Sequence, residues 1–138
     1  MRLIPENALA VVTIWQESRG ETFEGKVAVA EVIRNRMAKR YSSDGTVAGT
    51  IFKPWQFSGN NTSDPNRIPS YKVDDQDPKV MECIQAWETA KAGSDLTKGA
   101  VLYLNEALVL KMSGKLPIWV AKSKEVARVG RHTFYLPA

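Results

Sequence analysis

Ala8 to Trp15 is an almost unbroken apolar run that stops abruptly at Gln16-Glu17-Ser18-Arg19-Gly20-Glu21. Pro5 suits a first helical turn, and Ala8, Val11, Val12 and Trp15 recur at i, i+3, i+4 and i+7. The run therefore predicts a core helix that ends near Glu17. A carboxylate there is either costly or useful, because burial disfavours its charged form and raises its pKa. An acid at the end of a core helix, facing a cleft, can stay protonated near neutrality and donate that proton. Glu17 is the candidate general acid.

Ser18 and Glu21 have the spacing of a capping box, and the next periodic stretch, Glu24 to Arg40, offers Val29, Val32, Ile33 and Met37 as inner positions. Tyr41 to Gly45 reads as a loop, and Thr46 to Phe52 as a short helix stopped by Pro54. Phe57 to Pro78 is mostly irregular and rich in turn formers; so long a loop is often functional, and it is a candidate wall for a cleft. Asp77-Pro78 starts a helix to about Ala92, with Val80, Ile84 and Trp87 on one stripe and Gly93 as its stop. Gly99 to Asn105 reads as a buried extended segment, and Val126 to Tyr135 as two short strands turning near Gly130. Trp15 and Trp87, both on apolar stripes, are expected to pack in the core. The expectation is a mainly α, α+β domain with a small β element.

The 138 residues suit one domain, with 43% hydrophobic and 25% charged residues, near the globular average. There is no internal repeat or low-complexity tract. No apolar run approaches the ~20 residues of a membrane span, and Met1 to Glu6 lacks a signal-peptide core, so synthesis in a cytoplasm is expected. Cys83 stands alone within a helix and is expected to be a small buried residue. The net charge of +4 is uneven: Lys111, Lys115, Lys122, Lys124, Arg128 and Arg131 face only Glu125 between positions 111 and 131. Such a cationic face suits any polyanion, whether nucleic acid, membrane surface or wall polymer, and equally a plain solvated surface.

One histidine and one cysteine are too few for a zinc site of the usual ligand count. No phosphate loop, dinucleotide fingerprint or serine elbow is present. Neither a metal nor a cofactor is expected, and no local signature favours pairing His132 with Cys83 or a serine as a nucleophile.

Residues Ile14 to Arg36 resemble the opening motif of the spore-cortex-lytic, cell-wall hydrolase family. Ile51 to Ser58, Gly99 to Asn105 and Val129 to Tyr135 resemble its later blocks in the same order, so the likeness spans most of the chain. It implies a lysozyme-like, soluble-lytic-transglycosylase-like single domain over residues 1–138. It also implies cleavage of the β-1,4 bond between N-acetylmuramic acid and N-acetylglucosamine in peptidoglycan, with the catalytic glutamate at Glu17. Ser18 after the acid resembles the wider lytic transglycosylase signature, where many cortex-lytic members have alanine. The family's usual peptidoglycan-binding module has no counterpart in these residues. A compact, basic, catalytic-only chain resembles phage endolysins, which would act on the wall of the periplasm after release.

General acid catalysis at a glycosidic oxygen needs one protonated carboxyl as an oxocarbenium-like centre develops. In the transglycosylase reading the substrate's N-acetyl group stabilises the intermediate, and the same glutamate then deprotonates the 6-hydroxyl to close an anhydro ring. A lysozyme would need a second carboxylate, for which Glu21, Glu24, Asp64 and Asp74 are the candidates. Glu21 could cap the next helix, orient Arg19 or touch substrate; Ser18 and Glu21 are both carried as substrate-binding candidates. Gln56, Phe57 and Ser58, following Trp55, would suit sugar hydroxyls and ring faces. Tyr103 and Asn105 fall near the family's tyrosine-asparagine element, which holds the acid or the N-acetyl arm. His132 is expected to be mostly structural, with a role in holding the cleft as the lesser reading. Glycan strands are the expected partner of a monomer that contacts no specific nucleic acid and leaves an anionic wall or membrane surface open. A nucleic-acid-binding module would explain the charge but not the Glu17 motif.

Overall fold

Pro5 stands just before α1 (Glu6–Ser18), whose end falls where the apolar run predicts. The computed structural model describes residues 5–53, 74 and 76–138, so Pro54, Trp55, Gln56, Phe57, Ser58, Asp64 and nearly all of the irregular stretch lie outside the described residues. The inner face of α1 is not the expected stripe: Leu9, Ala10, Val11, Thr13, Ile14 and Ser18 are buried, whereas Ala8, Val12 and Trp15 are only half-buried. In a run that is apolar on all sides, period alone cannot choose the inner face. Thr13 and Ser18 can turn inward because their hydroxyls donate to the helix's own carbonyls, Leu9 at 3.0 Å and Ile14 at 2.6 Å.

The second helix, α2 (Phe23–Lys39), is capped by Thr22, whose hydroxyl accepts from the Gly25 N–H at 3.2 Å. The Ser18 and Glu21 capping box does not form, since both side chains are used elsewhere. Gly25 is needed at this turn, because an added Cβ would lie 2.9 Å from the Glu21 Cβ. From Gly25 to Arg36 every residue of α2 except Arg34 is buried. The helix is thus the centre of the molecule, packed against α1, α3 (Val47–Ile51) and α4 (Pro78–Lys91). Val29, Val32 and Ile33 are inner as expected, but so are Lys26 and Glu31. The buried Lys26 ammonium donates to the Glu21 carbonyl at 2.6 Å and lies 3.7 Å from Glu82 of α4.

Local signals hold well in the rest. Thr46 caps α3, Asp77 caps α4, and Gly93 after α4 adopts φ +109°. Trp87 is buried and donates its indole N–H to Asn7 at 2.8 Å. Cys83 is buried, and that burial pushes its thiol up to about 11.

Polar side chains of α2 organise the segment that follows α4. The Glu31 carboxylate accepts from the Ser94 hydroxyl at 2.6 Å, the Leu96 N–H at 3.0 Å, and both the N–H and hydroxyl of Thr97 at 2.9 and 2.7 Å. Arg34 donates to the Ala90 and Ser94 carbonyls, Asn35 to that of Ala100, and Arg36 to that of Val101. This segment leads into β1 (Leu102–Leu104), the edge of an antiparallel sheet in the order β1-β3-β2 with β2 (Ser123–Val129) and β3 (His132–Pro137). Tyr103 pairs with Phe134, and the β2–β3 turn falls at Gly130, φ +58°, as expected. Between β1 and β2 lie α5 (Glu106–Ser113) and α6 (Ile118–Ala121), two helices that the sequence analysis does not predict and that overlap the cationic stretch from Lys111. The Tyr135 hydroxyl donates to Glu106, fastening the start of α5 to the sheet. Arg128 and Arg131 of that face are paired, with Glu125 and Glu21.

Burial pushes the Glu31 carboxyl upward, but its hydrogen bonds from Ser94, Thr97 and Leu96 outweigh this and leave it below its ordinary 4.5. The folded chain binds that proton more weakly than the unfolded one, so the stabilisation is complete above 4.5 and is lost as pH falls through the lower folded value. Glu31→Gln, which presents N–H groups to N–H groups, is expected to destabilise the fold by about 3 kcal/mol in chemical denaturation. It is also expected to flatten the loss of stability on acidification, and an unchanged midpoint would refute this account.

Candidate active site

Glu17 lies one residue before the end of α1, half-buried, in a cleft of about 220 Å³. The α1 end and the turn after it, Gln16 to Glu21, form one wall; Asn105 and Leu108 at the start of α5 and Arg131 and His132 of the β2–β3 hairpin form the others. Three separate parts of the chain therefore meet around one carboxyl group.

Tyr103 of β1 reaches Glu17 and hydrogen-bonds to it. Burial, then the Glu17 charge and this hydrogen bond, hold the Tyr103 phenol well above its ordinary value, with Arg36 opposing. Tyr103 therefore stays protonated and donates to Glu17. The Tyr103 ring is held by its neighbours in the sheet, edge-on to His132 with centroids 5.0 Å apart and stacked on Phe134 at 5.7 Å. Arg36, buried on α2, brings a positive charge into the field of both Tyr103 and Glu17 while its Nε donates to the Val101 carbonyl at 2.6 Å.

Glu21 is the second carboxylate of the cleft. Its oxygens accept from the Arg131 backbone N–H at 3.2 Å and Nε at 2.8 Å, and its Oε1 lies 3.3 Å from His132 Nδ1. Arg131 also donates to the Gly20 carbonyl at 3.1 Å. Burial pushes the Glu21 carboxyl up, but the Arg131 hydrogen bonds and the His132 and Arg131 charges win and leave it low, so Glu21 is ionised and fully engaged. Burial lowers the His132 pKa; Glu21 raises it and Arg131 lowers it further, so the ring is neutral at neutral pH.

The sequence candidates divide accordingly. Glu17, Tyr103, Asn105, Glu21 and His132 come together. Ser18 also borders the cleft, buried, with its hydroxyl proton donated to the Ile14 carbonyl. Glu21 neither caps α2 nor orients Arg19, whose guanidinium lies over the Trp15 ring at 4.4 Å. Asn105 caps α5, its Oδ1 accepting from the Leu108 N–H at 3.0 Å. Glu24 and Asp74 are exposed and do not line this cleft, leaving Glu17 and Glu21 as its carboxylates among the described residues. Gln56, Phe57 and Ser58 lie outside those residues. No group of three metal-ligating side chains occurs among the described residues. Sequence reasoning missed Arg36 and the partnership of Arg131 with Glu21. An arginine amid the apolar positions of α2 was the available signal for the first; the second spans 110 residues and had none.

A family model described as cell wall hydrolase matches residues 20–135, starting just past Glu17. A spore cortex-lytic enzyme of Oceanobacillus iheyensis is 31% identical over 125 residues, covering 88% of this chain and 38% of that protein. One from Bacillus subtilis is 28% identical over 130 residues, covering 91% and 36%. The chain thus spans about two fifths of the length of the curated relatives it matches. The catalytic domain of the germination-specific lytic transglycosylase SleB from Bacillus anthracis matches with a TM-score of 0.72 at 26% identity, over 99% of both chains. The expected lysozyme-like α+β fold is therefore the fold of this chain.

His132 is the sole histidine, so its ring resonances report one group. By NMR it is expected to titrate below 6.5, and Glu21→Gln, which removes the charge that raises it, is expected to move it lower still. A rise in that variant would show that Glu21 does not face the ring as a carboxylate.

Proposed function

The chain belongs to the cell wall hydrolase family, and on that premise we propose that it is a peptidoglycan-degrading glycosidase that cleaves the β-1,4 bond between N-acetylmuramic acid and N-acetylglucosamine by lytic transglycosylation. The observation that carries this reading is the pairing of Glu17 with Tyr103 in a cleft whose other described carboxylate, Glu21, is bound to Arg131.

In this mechanism Glu17 gives its proton to the glycosidic oxygen, and the C–O bond on the muramic side breaks as positive charge grows at that carbon. The departing N-acetylglucosamine leaves with the proton as a free hydroxyl. The Tyr103 hydroxyl stabilises the carboxylate that results, since it donates to Glu17 and not to solvent. The substrate's own acetamido oxygen covers the cationic carbon. The Glu17 carboxylate then takes the proton of the muramic 6-hydroxyl, whose oxygen attacks the same carbon and closes the anhydro ring, restoring the acid. No water and no second carboxylate enters. Glu21, held ionised by Arg131, is unsuited to deliver a proton and poorly free to activate water.

The chain is proposed to act as a monomer on glycan strands of the wall. The names of its relatives, spore cortex-lytic enzyme and lytic transglycosylase, support the substrate class and the reaction.

Glu17→Gln is expected to reduce release of fragments from purified peptidoglycan by 10²-fold or more with an unchanged circular dichroism spectrum; retained activity would remove the mechanism. Mass spectrometry of the wild-type fragments is expected to find anhydro-muramic ends, whereas reducing muramic ends would mean hydrolysis and recruit a second carboxylate. Tyr103→Phe is expected to lower kcat about tenfold with little change in KM, because it removes one hydrogen bond to the developing charge.

A further inference from the structure

The helix α5 contains no buried residue although five of its eight residues, Ala107, Leu108, Val109, Leu110 and Met112, are apolar. The wholly apolar α6 has none either. Met112 is 79% and Ile118 80% exposed, and Leu108 and Leu110 are 49% and 45%. From Ala107 to Lys124 there is no acidic residue, while Lys111, Lys115, Lys122 and Lys124 are all exposed. Among the described residues no acidic side chain forms an ion pair with any of the four, in contrast to Arg128 and Arg131 just beyond.

We propose that α5, α6 and the Lys122–Lys124 stretch form a docking surface for an anionic lipid bilayer, with Met112 and Ile118 entering the headgroup and acyl boundary and the four lysines meeting lipid phosphates. Large exposed alkyl side chains in one segment mark an interaction site, and interleaved lysines without acids select a negatively charged partner. A glycan strand gives no reason for Met112 and Ile118 to face outward, since sugar faces are met by aromatic rings and hydroxyls by polar groups. A second copy of the chain is disfavoured by charge, because a two-fold contact would set four lysines against four. The bilayer satisfies both halves of the pattern.

The surface borders the cleft: Leu108 lines the cleft that holds Glu17, and Asn105 both caps α5 and lines that cleft. Docking would therefore hold the cleft beside the membrane. That consequence rests on the proposed glycosidase reading, whereas the binding does not and is tested without it.

The test is flotation of the whole chain with vesicles of phosphatidylcholine alone or with added phosphatidylglycerol, over a range of salt. The wild type is expected to float with the phosphatidylglycerol vesicles only. Each of Lys111→Gln and Lys115→Gln is expected to weaken binding about fivefold, and the pair Met112→Ser with Ile118→Ser tenfold or more, at unchanged thermal stability. Absence of flotation with either vesicle would overturn the proposal. So would serine-pair binding equal to wild type, which would mean adsorption by charge alone, or a dimer in light scattering that the serine pair abolishes, which would mean that a second copy covers the face.

Discussion

A carboxylate buried with no cation beside it among the described residues, Glu31, sets the terms for everything around the cleft. A charge in the interior must be met by donors, and its partners are Ser94, Leu96 and Thr97, in a segment without regular structure of its own. That segment is thereby folded onto α2, and Asn35 and Arg36, one turn further along, take up the next carbonyls, Ala100 and Val101. The result is a fixed starting point for β1, and β1 carries Tyr103. A polar residue in the middle of the central helix thus determines where a hydroxyl meets Glu17.

The cleft is built from contacts in series. Tyr103 touches Glu17 on one side and His132 on the other, His132 faces Glu21, and Glu21 holds Arg131. Lys26 holds the same turn from beneath through the Glu21 carbonyl. The two acids, four residues apart in sequence, so acquire different conditions: one meets the Tyr103 hydroxyl, and the other is held by Arg131 donors that keep it charged. Similar residue types in one cleft are given different chemistry by their neighbours.

Much of this was legible in local sequence. Asp77-Pro78 and Gly93 bracket a helix, Gly130 marks a hairpin, and an acid ending an apolar run marks Glu17, because each signal concerns neighbours in the chain. The capping box failed because its two side chains had better partners: the Ile14 carbonyl for Ser18 and Arg131 for Glu21. Lys26 and Arg36 went unread because α2 is buried on every side, and a pattern rule that assigns charge to the outside has no way to place a cation that finds its acceptors in the interior. The helices α5 and α6 leave no core stripe in the sequence, because neither buries a residue and the lysines in and around them mark the segment as surface.

The clamp between Glu21 and Arg131 joins residues 110 apart in the chain. Closing so long a loop is slow and entropically expensive, and it cannot happen until the final hairpin exists. The helix bearing Glu17 can form early, but its cleft lacks a wall until the β2–β3 hairpin docks. Until that hairpin docks, Glu21 lacks the Arg131 donors that keep it ionised and Glu17 faces a cleft open on one side, so the difference between the two acids is a property of the assembled fold and not of the turn that carries them.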